Sequence, residues 1–103
     1  MDKISVIIPA YNSAETIAAT VRAAAGLTQV GEIIVVDDGS HDATAKAAAR
    51  AGAAVSASTD NQGKGAALRR GVALAKGDVL LFLDADLGES AAYAQALIEP
   101  VLN

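Results

Sequence analysis

Four short apolar runs, each followed by a polar loop, divide the chain into regular segments. Short runs rich in β-branched side chains are typical of strands that are buried on both faces of a parallel sheet. The predicted strands are Ile4–Ile8, which Pro9 ends, Ile33–Val36, the weaker Ala53–Ala57, and Val79–Leu83.

Helical patterns lie between and after these runs. Asn12 or Ser13 is predicted to cap the first helix, with Glu15 completing a capping box and Gly26 ending the helix. The second predicted helix is an alanine-rich segment that Ser40 or Asp42 caps and that ends at Gly52. The third is Lys64–Ala75, with Leu68, Val72 and Ala75 on its buried stripe. The fourth is Ser90–Ile98, with Pro100 near its end.

This alternation predicts an α/β fold, with a doubly wound, mostly parallel four-stranded sheet in the order 3-2-1-4 and helices on both faces. The length fits one domain over residues 1–103. In such sheets ligands bind beyond the carboxyl ends of the strands. The conspicuous polar clusters all follow predicted strands, and they are Pro9–Asn12, Asp37–Ser40, Asp60–Gly65 and Asp84–Gly88.

Asp84 and Asp86 stand two positions apart after the fourth predicted strand. In extended backbone such residues point the same way, so their carboxylates repel each other unless a cation joins them. Carboxylate oxygens suit Mg²⁺ or Mn²⁺, which also bind substrate phosphates. The pair therefore predicts a metal site, and the alternative is a solvated loop in which one aspartate caps the next helix.

The segment Asp37–Ser40 combines a turn with a candidate ligand contact. Gly39 favours the turn, and Ser40 can cap the helix that follows. A carboxylate at the end of a strand can accept a hydrogen bond from a ribose hydroxyl or from a base N–H. Asp38 is therefore the predicted functional residue of this segment.

Lys64 lies between two glycines where the third helix is predicted to begin. A cation there opposes the helix dipole, and glycine lowers helix stability. A bound anion would resolve both conflicts, so Lys64 is predicted to contact an anionic ligand. The alternative is an exposed flexible turn. The segment is not a Walker loop, because Gly65 stands where Ser or Thr would follow the lysine.

For the remaining conspicuous side chains the sequence predicts no definite catalytic or binding role. Tyr11 either stacks on a base or packs beneath its loop. His41 is the single histidine, and it is expected to be exposed and is assigned no chemistry. Arg69 and Arg70 are most simply interpreted as part of a solvated helix face, and the alternative is a phosphate contact.

Composition and charge narrow the classes of function. The net charge is −4 and the Lys and Arg residues are scattered, which argues against a nucleic-acid partner. The absence of cysteine excludes a disulfide framework and a zinc-thiolate site. The longest apolar run is far shorter than the ~20 residues that span a bilayer, and the start of the chain shows no secretory pattern. A soluble, cytoplasmic protein is expected.

Four segments in this order resemble the motifs of family 2 glycosyltransferases, which have a GT-A fold. The Gly-Lys-Gly segment and the Asp-Ala-Asp-Leu sequence look most like those of polyprenyl-phosphate sugar transferases and glucosyl-3-phosphoglycerate synthases. The segments cover nearly the whole chain, and they are Ser5–Asn12, Ile34–Ser40, Asn61–Leu68, and Gly77–Asp78 together with Asp84–Asp86.

The resemblance implies a glycosyltransferase that binds a UDP- or GDP-linked sugar with Mg²⁺ or Mn²⁺. The metal would stabilise the departing nucleoside diphosphate. By position, the resemblance implies that the base pocket is lined by Pro9, Ala10 and Tyr11 and that Asp38 meets the base or ribose. It implies that Lys64 approaches the nucleotide. It also implies that Asp86, with Asp84, holds the metal and diphosphate.

Family members carry an acceptor-binding half and a general base after the Asp-x-Asp motif, but only a short segment follows Asp86. Glu89 and Glu99 have no supporting spacing, so the catalytic residues stay unknown. We expect residues 1–103 to be the donor-binding part, either as a fragment or with catalytic residues supplied elsewhere. Strand Val79–Leu83 would then lie at an open sheet edge, and a homo-oligomer formed through this edge is expected.

Other functions fit the sequence less well. A dinucleotide-binding oxidoreductase is disfavoured because the turn after the first strand lacks the glycine fingerprint. A response-regulator receiver would begin with the acidic strand and would need a lysine after a later strand, but no lysine follows Lys76. A non-catalytic module that binds a nucleotide or only assembles stays open, and a turnover assay on the isolated chain would distinguish it from an enzyme.

Overall fold

The computed structural model describes residues 3–102 and shows a fully parallel sheet in the order β3-β2-β1-β4. The predicted α/β fold and strand order are confirmed. The elements in chain order are β1 (Ile4–Ala10), α1 (Ile17–Ala25), β2 (Val30–Asp38), α2 (Thr44–Arg50), β3 (Ala54–Ser58), α3 (Lys64–Leu74), β4 (Val79–Phe82), a 3₁₀ helix (Gly88–Ala94) and α4 (Gln95–Leu102).

The sheet separates two unequal layers of helices, as its alternating side chains require. Ile4, Val6 and Ile8 of β1 belong to the larger buried cluster, to which α1, α2, the 3₁₀ helix and α4 contribute. On the opposite face α3 covers a smaller cluster that includes Ile34 and Val36. The prediction of helices on both faces is confirmed.

The α3 helix lies closer to the sheet than its apolar pattern indicates. A Cβ atom added to Gly71 would lie 2.4 Å from Cγ2 of Ile7. The predicted stripe through Leu68, Val72 and Ala75 is wrong at Val72, which is 44% exposed. The helix is rotated so that a glycine rather than a valine meets the central strand, because only a small residue fits at this separation.

The strand β1 continues through Pro9, where the sequence predicted its end. The Leu83 amide donates to the Ile7 carbonyl, so Ile7 and, two residues later, Pro9 direct their backbone polar groups toward β4. Because β4 ends at Phe82, the missing N–H of Pro9 removes no hydrogen bond from the sheet.

The strand β2 is longer at both ends than the predicted Ile33–Val36. It pairs with β1 on one side and β3 on the other, with Asp37 opposite Ala10 and Asp38 opposite Ser58. Both aspartates therefore belong to the sheet and not to a loop. The strands β3 and β4 differ from the predicted ranges by one residue at their ends.

The predicted start of α3 at Lys64 and the predicted end of α1 at Gly26 are confirmed, whereas the predicted starts of the first, second and fourth helices are wrong. No side chain caps α1 or α2 at the flanking residues Thr16 and Ala43. The last predicted helix is a 3₁₀ helix followed by α4, and Pro100 lies inside α4. Pro100 has no N–H to donate within the helix, and α4 continues to Leu102.

Candidate functional site

The loops after the four strands surround one open cavity of about 490 Å³ at the carboxyl edge of the sheet. The cavity lies above β1, where the chain order of the strands reverses and where doubly wound sheets bind ligands. Its lining includes all the residues predicted to bind ligand or metal, namely Pro9, Ala10, Tyr11, Asp38, Lys64, Asp84 and Asp86.

Asp84 and Asp86 are exposed at the cavity on either side of a buried alanine. Ala85 is 7% exposed, and its carbonyl oxygen accepts hydrogen bonds from the hydroxyls of Thr16 (3.0 Å) and Thr20 (2.8 Å). The extended backbone predicted for this pair is wrong, because Ala85 and Asp86 lie in a turn in which the Leu87 amide donates to the Asp84 carbonyl at 3.4 Å. These bonds, from Thr16 directly before α1 and from Thr20 within it, fix the backbone that carries both carboxylates.

Thr20 is a residue of the site that the sequence analysis missed. Its side chain is fully buried, and its oxygen also accepts a hydrogen bond from the Gly88 amide at 2.8 Å. It therefore holds the Asp84–Gly88 loop at two points. A signal was present in the sequence, since Thr20 is a hydroxyl residue on the otherwise apolar buried face of α1.

Two carboxylates at an open cavity suit a cation that shares its ligands with a phosphorylated substrate. Mg²⁺ is typically bound through one or two carboxylates together with substrate phosphates and water. Across residues 3–102, no point gathers three or more His, Cys, Asp or Glu side chains in a way that could hold a metal ion. Asp84 and Asp86 supply the carboxylate oxygens that Mg²⁺ or Mn²⁺ accepts beside substrate phosphates.

The carboxylate of Asp38 binds the loop that leads into α3. Its two oxygens accept hydrogen bonds from the amides of Gln62 (2.8 Å) and Gly63 (2.9 Å), and the residue is 7% exposed. The same loop crosses tightly over Gly39, where an added Cβ would lie 2.6 Å from the Asn61 nitrogen. Gly39 has a φ of +79°, so both space and backbone conformation require glycine.

Lys64 forms an ion pair with Asp84 across the cavity. Its Nζ atom lies 2.9 Å from Oδ1 of Asp84, and the two side chains are 65% and 61% exposed. The pair joins the first residue of α3 to the loop after β4. A second, more apolar hollow, which includes Leu68, Phe82 and Leu87, shares the pair as part of its lining.

The loop after β1 is held against the loop after β2. The Asn12 amide donates to Oγ of Ser40 (2.8 Å), and the His41 amide donates to Oδ1 of Asn12 (2.9 Å). These contacts accompany a left-handed conformation at Asn12, with φ of +49°. Tyr11 is 46% exposed in the cavity wall, so part of its ring is accessible to a ligand and is not packed beneath the loop.

Asp42 connects the same two loops from the α2 side. Its carboxylate accepts hydrogen bonds from the Ala14 amide (3.3 Å), the Thr44 amide (3.0 Å) and the Thr44 hydroxyl. The bond from the Thr44 hydroxyl is the main cause that lowers the pKa of Asp42 below its usual value. His41 is exposed, as predicted, and Arg69 and Arg70 do not line the cavity.

Within residues 3–102, no helix combines the length and the apolar character that crossing a membrane requires.

Comparisons with known proteins agree on one family. The family model described as glycosyl transferase family 2 matches residues 5–102. The glycosyltransferase AglD of Haloferax volcanii is 36% identical over 96% of this chain. The undecaprenyl-phosphate 4-deoxy-4-formamido-L-arabinose transferase of Serratia proteamaculans is 42% identical over 82% of it.

A solved structure gives the same result for the fold. Glucosyl-3-phosphoglycerate synthase from Mycobacterium tuberculosis, in complex with Mn²⁺, UDP and glucosyl-3-phosphoglycerate, superimposes with a TM-score of 0.86 and 34% identity over 99% of this chain. The same enzyme has also been solved with Mg²⁺ and UDP. The predicted likeness to polyprenyl-phosphate sugar transferases and to these synthases is confirmed.

The chain corresponds to only part of each of these proteins. It spans 18% of AglD, 29% of the Serratia transferase and 40% of the synthase chain.

Proposed function

The chain belongs to glycosyl transferase family 2, and on this premise we propose that residues 1–103 form the donor site of a glycosyltransferase, which binds a nucleotide-diphosphate sugar together with Mn²⁺ or Mg²⁺. The observation that carries the proposal is the position of Asp84, Asp86 and Lys64 around one cavity at the carboxyl edge of the sheet. Two carboxylates and one ammonium group are the complement of a cation bound to a diphosphate.

Each proposed role follows from the place of the residue in the cavity. Asp86, with Asp84, would hold the cation, which would stabilise the charge that develops on the departing nucleoside diphosphate. Lys64 would donate hydrogen bonds to the diphosphate. Pro9, Ala10 and Tyr11 would line the pocket for the base, and Asp38 would meet the base or ribose while it holds the Gln62–Gly63 backbone.

We propose UDP as the nucleotide, in preference to GDP. The support is the structural similarity to glucosyl-3-phosphoglycerate synthase, whose solved complexes contain UDP. The names of the similar proteins differ in the acceptor they indicate, so the proposal covers donor binding and transfer in general, without a particular acceptor.

Calorimetric titration of UDP tests the proposal directly. With Mn²⁺ present, UDP should bind the wild-type chain, and EDTA should abolish or strongly weaken the binding. Asp86→Asn should weaken binding at least about tenfold, since even the outer partners of metal ligands contribute that much. Asp78→Asn is the matched control, because Asp78 is exposed and does not line the cavity.

The outcomes separate the remaining possibilities. Preference for GDP over UDP would correct the nucleotide and leave the site intact. Equal binding by Asp86→Asn and the wild type, or no binding of either nucleotide under any condition, would refute the proposed donor site. Binding without release of UDP from UDP-sugars, in the presence of candidate acceptors, would favour a non-catalytic nucleotide-binding module.

The partner proposed for the chain itself is a second copy, joined through β4. In the described part of the chain β4 pairs only with β1, and Leu80 and Phe82 of β4 are 36% and 49% exposed. An edge strand of this kind can pair with another edge. Sedimentation velocity should show a dimer or larger species that Leu80→Lys converts to a monomer, and a wild-type monomer at high concentration would exclude it.

A further inference from the structure

The ion pair between Lys64 and Asp84 places two proposed ligand-binding groups in contact with each other. Asp84 is one of the two carboxylates proposed for the cation, and Lys64 is the ammonium group proposed for the diphosphate. At 2.9 Å, Nζ occupies a hydrogen-bonding position on Oδ1 of Asp84. A divalent cation requires the same carboxylate and would be repelled by the lysine charge.

The pair joins the start of α3 to the loop after β4, and buried groups hold the backbone on both sides. Asp38 fixes the amides of Gln62 and Gly63, directly before Lys64. Thr20 fixes the carbonyl of Ala85, directly after Asp84. Because both backbones are held, only the two side chains lose conformational freedom when the contact forms.

From this geometry we infer that Lys64 opposes cation binding until the nucleotide arrives. A diphosphate at the cavity offers Lys64 a stronger partner than a single carboxylate, and it releases Asp84 for the cation. The lysine thereby couples the two binding events: it lowers the affinity for the cation alone and raises the affinity for the cation and nucleotide together. The inference rests on the proposed donor site and assigns it a coupling between the affinities for the two ligands.

Because of this coupling, substitution of Lys64 should raise the affinity for Mn²⁺ alone and lower the affinity for UDP in the presence of Mn²⁺. Lys64→Gln removes the competing ammonium group, so Mn²⁺ in the absence of nucleotide should bind about two- to fivefold more tightly than to the wild type, the range expected for a partly exposed ion pair. The same variant should bind UDP in the presence of Mn²⁺ more weakly. A variant that had merely lost structure would lose affinity for both ligands.

Electron paramagnetic resonance of free Mn²⁺ measures the first affinity, and calorimetry with UDP measures the second. Lys64→Arg keeps the charge and the contact with Asp84, so its affinity for Mn²⁺ alone should remain that of the wild type. Lys46→Gln makes the same charge change at an exposed position of α2 that does not line the cavity, and it should change neither affinity. The higher affinity of Lys64→Gln for Mn²⁺ alone should approach that of the wild type at high salt, because salt screens an exposed ion pair.

The results distinguish failure of this inference from failure of the donor site. If UDP binds with Mn²⁺ but Lys64→Gln binds Mn²⁺ alone no more tightly than the wild type, or if neither binds it detectably, the inference is overturned and the donor site stands. If Lys64→Gln and Lys46→Gln gain the same affinity for Mn²⁺ alone, the gain comes from the change in net charge, and the inference is likewise overturned. If the wild type binds no UDP with Mn²⁺, both proposals fail.

Discussion

The carboxylate of Asp38 combines a structural contact with the ligand contact proposed for it. Each of its oxygens accepts one backbone amide, from Gln62 or from Gly63. An ionised carboxylate has about four acceptor positions, so two remain for a ribose hydroxyl or a base N–H. The structural contact thus leaves the predicted ligand contact possible, and it explains why the loop before Lys64 has a defined position.

We predict that Asp38→Asn destabilises the fold by about 1–3 kcal/mol, because the side-chain amide offers one oxygen for two backbone amides and leaves one of them unpaired. Urea unfolding should show a lower midpoint with an unchanged slope. Asp60→Asn is the matched control, since Asp60 lies in the same connection and its carboxylate makes none of the described hydrogen bonds. Equal midpoints for the two variants would contradict the structural role of Asp38.

Among the elements, α3 shows how close packing on the sheet determines which residues are tolerated. Alanine usually stabilises the interior of a helix relative to glycine by about 1 kcal/mol. At Gly71 the reverse is expected, because the added Cβ would lie 2.4 Å from the buried Ile7 side chain and would push the helix away from β1.

We predict that Gly71→Ala lowers the stability by about 1–3 kcal/mol, the usual range for overpacking. Gly65→Ala, in the first turn of the same helix, should instead raise the stability by about 0.5–1 kcal/mol, because its Cβ would meet only the Arg69 side chain at 3.5 Å. Thermal unfolding of the two variants should therefore shift the midpoint in opposite directions. A gain for both would show that α3 can move away from the sheet without cost.

The helix α1 serves the site through its buried face. Thr20 bonds both the carbonyl of Ala85 and the amide of Gly88, so a helix that contributes no ligand sets the position of the two carboxylates. The position of Asp84 and Asp86 is thereby determined by a contact between segments far apart in the sequence.

We predict that Thr20→Val weakens Mn²⁺-dependent UDP binding about 10–100-fold, the range measured when outer partners of metal ligands are removed. Thr20→Ser keeps the hydroxyl and should retain most of the affinity, although it loses a buried methyl group. Calorimetry gives the affinities, and circular dichroism confirms that both variants are folded. Equal losses for the two variants would show that packing, and not the hydroxyl, is the contribution of Thr20.

For the molecule as a whole, the sequence predicted the order of the elements and the sheet edge at which the candidate residues line one cavity. The β-branched runs of β1 and β2 identify buried strands directly. Asp38, Lys64 and Asp86 stand out because they lie at or after predicted strands, which requires no knowledge of tertiary contacts. The errors lie where distant segments meet. Asn12 resembles a helix cap by spacing, but contacts with Ser40 and His41 hold it in a left-handed turn.

The same reason explains why the precise contacts of the site were not predictable. The bonds of Asp38 to the loop before α3 and of Thr20 to the loop after β4 join residues that only the folded sheet brings together. A local pattern records that a residue is polar or apolar, but it does not record which distant partner the residue will find.

The amino edge of the sheet, opposite the cavity, holds a carboxylate that should make the stability depend on pH. Glu32 accepts hydrogen bonds from the Ser5 hydroxyl (2.5 Å) and the Lys76 amide (2.6 Å), and these, with Ser5 first, lower its pKa from the usual 4.5. Because the pKa is lowered in the folded state, the stabilisation is complete above about pH 4.5 and is lost as the pH falls below it.

Glu32→Gln should therefore be less stable than the wild type at pH 7, and urea unfolding at decreasing pH should show the difference in stability shrinking below about pH 4.5. The exposed Glu99→Gln should show no such change, and a wild-type advantage over Glu32→Gln that is constant down to pH 3 would contradict the role of the charged carboxylate.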